Sequence, residues 1–146
     1  MIAPAESLVE GSATGTVLLP ARTVTRTVLI VDDDQSLAET YTRLLKLEGF
    51  LVEAAFDAAS GLDKTARLLP HAVVLDLRMP ITSGLQFLRV MRSLPGVGRI
   101  PVVIVTGDYF VQGLIEDELT ALGATIHFKP MPSEDLYVLL RTLISE

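Results

Sequence analysis

A chain of 146 residues suits one domain of ordinary size; at 49% hydrophobic, with mean hydropathy +0.46, it can bury a full core without metal or disulfide staples. It has no cysteine, which excludes a disulfide framework and thiolate metal or nucleophile chemistry and fits a reducing cytoplasm. Twelve Lys and Arg against 18 Asp and Glu give a net charge of −6, which argues against direct nucleic-acid binding.

Residues 1–26 are rich in Ala, Gly, Ser, Thr and Pro and read as a flexible extension ahead of a domain at 27–146; "TVLLPA" (16–21) is at most a short added strand. Glu6 and Glu10, without a basic start, argue against a secretory signal. No apolar run approaches the roughly 20 residues that span a bilayer, so no membrane partner is expected, and a cytoplasmic protein is.

From Thr27 the pattern becomes regular. "TVLIV" (27–31) is a continuous apolar, β-branched run, as expected of a strand covered on both faces. Leu37, Tyr41, Leu44 and Leu45 share one helical face, which Gly49 closes. "FLVEAAF" (50–56) reads as a strand, and Asp57 caps a helix carrying Leu62, Ala66 and Leu69. "HAVVLD" (71–76) is the next strand; Leu85, Leu88 and Met91 mark the helix after it. "PVVIVTG" (101–107) leads to a helix with Val111, Leu114, Ile115 and Leu122. "ATIHF" (124–128) is the fifth strand, and Ser133 caps a final helix with Leu136, Leu139, Leu140, Leu143 and Ile144. Strands alternating with helices over short loops predict an α/β domain, a parallel sheet covered on both faces.

In such a sheet ligands bind beyond the carboxyl ends of the strands. Those ends carry Asp32, Asp33 and Asp34, then Asp76, then Thr106 and Gly107, then Lys129 before Pro130. Clustered carboxylates raise one another's pKa unless a cation joins them, and oxygen-only ligands select a hard ion such as Mg²⁺. A cation, a lysine and a threonine suit phosphoryl oxygens, and a carboxylate can itself attack phosphorus. The set points to a phosphorylated aspartate.

The motifs "VLIVDDD" (28–34), "VVLDLRMP" (73–80) with Gly84 beyond it, "PVVIVTG" and "FKPM" (128–131) occur in one order over about residues 27–145. In these the chain resembles the receiver domains of two-component response regulators, the chemotaxis regulator among them. The resemblance implies a flavodoxin-like, doubly wound fold with strand order 2-1-3-4-5. It makes Asp76 the phosphoacceptor. Asp33, Asp76 and the Arg78 carbonyl would ligate Mg²⁺ directly, Asp32 through water. Thr106 and Lys129 would contact the phosphoryl group, and the Lys129–Pro130 bond would be cis. The partners implied are a histidine kinase or histidine phosphotransfer protein and a downstream effector protein, with a homodimer as a further option. The protein is then a signalling switch, not a turnover enzyme.

Asp34 is read as a helix cap rather than a ligand, His71 and His127 as non-catalytic, and Met79 and Met131 as packing residues. The chain departs from the family pattern at Ile126, where an aromatic switch residue is usual. Arg78 and Asp108 hold the two positions flanking the phosphoryl group, where an ion pair would shield it. Two other readings compete. A pseudo-receiver would bind partners without phosphorylation. A haloacid dehalogenase-type phosphatase would use Asp32 as nucleophile and Asp34 as general acid, but leaves "LDLRMP" without a role.

Overall fold

The computed structural model describes residues 25–79, 81–107 and 113–144. Five strands, β1 (Thr27–Val31), β2 (Leu51–Ala55), β3 (Ala72–Leu75), β4 (Val102–Thr106) and β5 (Ala124–Phe128), pair in parallel in the order β2-β1-β3-β4-β5. The helices between them are α1 (Gln35–Leu47), α2 (Ala58–Leu68), α3 (Gly84–Ser93), α4 (Leu114–Ala121) and α5 (Ser133–Ile144). This is the flavodoxin-like order expected. The chain leaves β1 for β2 on one side and returns to β3 on the other, so the crevice of the fold opens above β1 and β3.

Alternation along the strands divides the core in two. Leu29, Val31, Val73, Leu75, Val102 and Ile104 face α2, α3 and α4, where Phe87, Leu88, Met91 and Leu119 are buried. Val28, Ile30, Val74, Val103 and Val105 face α1 and α5, against Tyr41, Leu45, Leu136 and Leu140. Burial on both faces is why β1, β3 and β4 are legible as unbroken apolar runs. Met79 is buried and Met131 is half-buried, both in packing roles as read.

Local signals mostly worked at the helix starts. Asp34 accepts from the Leu37 amide at 3.1 Å and caps α1; Asp57 accepts from the Ser60 amide at 2.7 Å and caps α2. Gly49, at φ 101°, follows α1 in the left-handed conformation that glycine tolerates. Ser83 and Gln86 form a reciprocal capping box at α3. Ser133 is the first residue of α5, not the residue before it.

Two helical faces correct the sequence reading. On α2 the buried residues are Ala58, Gly61 and Thr65; Ala66 is exposed, and Leu69 is a left-handed cap outside the helix. The helix lies so close to the sheet that a Cβ on Gly61 would stand 2.8 Å from the Phe87 ring and 3.0 Å from Val31, so small residues line it. On α4, Leu114 and Ile115 are exposed and only Leu119 is buried. Gly113 supplies no side-chain cap. α3 holds α4 by polar contacts instead: Arg89 pairs with Glu118 through two nitrogens, and Arg92 donates to the Leu122 carbonyl at 2.7 Å.

The readings of residues 1–24 and of Val111 and Asp108 lie outside the described residues. Among the described residues, no helix is long and apolar enough to cross a membrane.

Candidate functional site: an acidic cluster at the carboxyl edge of the sheet

Three of the site residues, Asp32, Asp76 and Lys129, are each fixed by a backbone bond past the end of their strand. The Asp32 amide donates to the Ala55 carbonyl at 3.0 Å, the Asp76 amide to Val31 at 3.0 Å, and the Lys129 amide to Thr106 at 2.8 Å. The ladder therefore continues into the loops and carries strand registry into the site. The Lys129–Pro130 bond is cis, as expected.

These bonds bring together residues far apart in the chain. One carboxylate oxygen from each of Asp32, Asp33 and Asp76 lies within 4.8 Å of the others. Asp32 and Asp76 are buried; Asp33 is exposed, at the mouth. The Lys129 ammonium stands 3.1 Å from Asp32 Oδ2 and 3.5 Å from Asp76 Oδ2, joining carboxylates of two strands. Asp76 Oδ1 accepts from the Arg78 amide at 3.3 Å. Thr106 is fully buried at the end of β4.

The electrostatics follow from this crowding. Burial pushes the Asp32 carboxyl above its usual range; the Asp34 amide and Lys129 oppose the shift, and the charge of Asp76 adds to it. Burial works against the Lys129 charge, but the attraction of Asp32 and Asp76 outweighs it, and its pKa is raised. One lysine cannot balance three carboxylates. The set is all oxygen, with one member open to solvent, and so fits a hard cation.

The structure thus gathers Asp32, Asp33, Asp76, Thr106 and Lys129 at one sheet edge. Arg78 is in the loop after β3, its side chain exposed. Ile126 pairs with Ile104 in the sheet, is half-buried, and packs on the core beneath α3 and α4. The Asp34 carboxylate is spent on the α1 cap and stays out of the cluster, although its amide donates to Asp32 Oδ1 at 2.9 Å. Gly84 makes a close approach to the site's backbone: a Cβ there would lie 2.5 Å from the Asp76 carbonyl oxygen, and its amide donates to the Leu77 carbonyl at 2.9 Å. Tyr41 belongs to the buried face of α1, and its hydroxyl also donates to the Met131 carbonyl at 2.9 Å. No pattern in the sequence announces that contact.

Comparison with known proteins agrees with this geometry. The model of the response regulator receiver domain matches residues 28–141. The "Probable transcriptional regulatory protein TcrX" of Mycobacterium tuberculosis is 38% identical over 81% of this chain and 49% of its own length. The response regulator MprA of the same species is 34% identical over 80% of this chain and 50% of its own. The chain thus spans about half the length of these curated relatives. Among solved structures, the chemotaxis protein CheY4 of Vibrio cholerae superposes with a TM-score of 0.75 at 26% identity, over 82% of this chain and 99% of that one. A receiver domain from Methylobacillus flagellatus gives 0.73 at 29% identity, over 82% and 99%. The likeness runs through every strand end that carries the acidic cluster, and the chain belongs to the response regulator receiver domain family of two-component signalling.

Proposed function

We propose that the domain takes a phosphoryl group on Asp76 from a histidine kinase or a histidine phosphotransfer protein and, so modified, presents an altered surface to an effector protein. The observation that carries this reading is the convergence of Asp32, Asp33 and Asp76 within 4.8 Å under a lysine that touches two of them. An Asp76 oxygen forms a bond to phosphorus as the donor's N–P bond breaks, and the electron pair returns to the imidazole nitrogen. Water later releases inorganic phosphate and restores the carboxylate. Lys129 bridges two carboxylates at rest; once Asp76 is an acyl phosphate, its charge lies on the phosphoryl oxygens, and the ammonium follows it. Thr106, at the adjacent strand end, supplies the second contact.

The donor set fits Mg²⁺, which would be held by Asp33, Asp76 and the Arg78 carbonyl, with Asp32 acting through water. When bound, the ion offsets the charge that the carboxylates and phosphoryl oxygens bring together. The receiver runs from 27 to 146, behind an extension of residues 1–26, and works in the cytoplasm. It catalyses its own modification and acts as a switch through the affinity difference between its two states. A homodimer is one form the altered surface can take.

Mass spectrometry after treatment with a small phosphodonor and Mg²⁺ tests the reading. Phosphate is expected on Asp76, and none on the Asp76→Asn protein. Phosphate on Asp32 would favour the phosphatase reading instead. Ile126, an aliphatic side chain at the switch position, favours one further reading, partner binding independent of phosphate. Equal partner affinity of wild type and Asp76→Asn, with and without phosphodonor, would select it.

A further inference from the structure

Tyr41 is in the middle of α1, on its buried face, and is 2% exposed. Its hydroxyl donates to the carbonyl of Met131, a residue 90 positions away in the chain. For packing alone phenylalanine would serve. A buried hydroxyl costs free energy unless it is bonded, so the contact sets where the Met131 carbonyl must lie. Burial, with a contribution from the charge of Asp32, pushes the phenol pKa up to about 12, so the group stays an O–H donor at every pH where the domain would work.

Met131 ends the short stretch that begins at Lys129. The first residue of this stretch is held to β4, by the Lys129 amide on Thr106 at 2.8 Å. Its last residue is held to α1, by Tyr41 on Met131 at 2.9 Å. The stretch is therefore tied at both ends, to two different elements. The Lys129 ammonium rides on a flexible four-carbon stem, and from this backbone position it stands 3.1 Å from Asp32 and 3.5 Å from Asp76. The same helix that carries Tyr41 starts at Asp34, directly after Asp32 and Asp33. α1 thus has its cap two residues after Asp32 and, through one hydroxyl, holds the stretch that carries the lysine bridging Asp32 and Asp76.

We propose that Tyr41 is a positioning residue for phosphoryl transfer: its hydroxyl, by holding the Met131 carbonyl, fixes the backbone from which Lys129 reaches the acceptor carboxylate. This inference rests on the phosphoacceptor reading of Asp76. Tyr41 touches no reacting atom; it acts through Lys129.

The test is a double-mutant cycle on the full chain with Tyr41→Phe, which keeps the ring and the core packing, and Lys129→Ala. In the wild-type background Tyr41→Phe should slow phosphorylation by a small phosphodonor at saturating Mg²⁺ by roughly 3- to 10-fold, the factor that one ordinary hydrogen bond represents. In the Lys129→Ala background the same change should produce no further slowing. Mg²⁺ affinity should stay unchanged, because no proposed ligand lies on the 129–131 stretch. Amide exchange at Lys129, measured without phosphodonor, should quicken in Tyr41→Phe. Equal phosphorylation rates for wild type and Tyr41→Phe would overturn the proposal. Equal slowing in both backgrounds would overturn it too, by showing a general structural effect. A wild-type protein that takes no phosphate sinks the phosphoacceptor reading itself; unchanged Lys129 exchange sinks the role of Tyr41 separately.

Discussion

Replacing Lys129 with methionine keeps most of the stem and removes the charge from between two buried carboxylates. The contacts are 3.1 Å to Asp32 and 3.5 Å to Asp76. At an effective dielectric of about 20 each is worth about 5 kcal/mol of gross attraction. Desolvation of the ammonium and ordering of its side chain cancel most of this, and the lysine side chain keeps 23% of its exposure, which screens it further. Breaking a fully buried pair costs about 3–5 kcal/mol; discounted for that exposure, the net loss here is about 2 kcal/mol. Without Mg²⁺ at pH 7, the urea midpoint should fall by about 1–2 M. The pH dependence has a definite sign. The folded Asp32 pKa lies above its ordinary 3.8, so the domain is favoured below that value and loses stability as pH rises through the folded value. Lys129 opposes this shift, so its removal raises the folded Asp32 pKa further. The variant should lose more stability than wild type between acid and neutral pH. The stabilising share of Lys129, whose own pKa is raised, persists up to its folded value above 10.5. Urea melts at pH 5, 7 and 8 would measure the effect. Equal midpoints at pH 7, or a penalty that grows as pH falls, would refute the reasoning.

Three other predictions are independent of it. Mg²⁺ at 100 times its dissociation constant should stabilise the wild type by about 2.7 kcal/mol, and Asp33→Asn should lose most of that gain; a melting temperature indifferent to Mg²⁺ would remove the cation from the site. Gly84→Ala should cost about 3 kcal/mol in urea unfolding, because the new methyl would lie 2.5 Å from a backbone oxygen with no room to give; wild-type stability would contradict the close approach. Asp34→Ala should cost about 1 kcal/mol through loss of the α1 cap while leaving Asp76 phosphorylation intact, and abolished phosphorylation would restore Asp34 to the chemistry.

The strands and the site were legible for the same reason: a parallel sheet covered on both sides writes itself as apolar runs, and its ligands follow at the ends of those runs. The α2 face was misread because its buried side is Ala58, Gly61 and Thr65, residues small enough for a close approach to Phe87 and too weak in hydropathy to signal burial. Leu114 and Ile115 carry the opposite fault, strong apolar signals on an exposed surface. The capping box at Ser83 and Gln86 has a local signature in "SGLQ" that apolar periodicity alone does not pick out. The pairings of Tyr41 with Met131 and of His71 Nδ1 with the Thr27 amide, at 3.0 Å, join distant residues, and single-chain periodicity carries no trace of them.

The polar tethering of α4 has a mechanical consequence. α2 and α3 meet at the close Gly61–Phe87 approach, whereas α4 is joined to α3 by arginine tethers. Pulling it away forfeits one buried leucine, worth about 1.5–3 kcal/mol, together with the exposed Arg89–Glu118 pair and the Arg92 bond to the Leu122 carbonyl. A single charge-assisted hydrogen bond, of the kind a phosphoryl oxygen on Asp76 would make, is worth about 1.5–3 kcal/mol. A contact of that size is comparable with the burial of Leu119, the one side chain that α4 seals in the core.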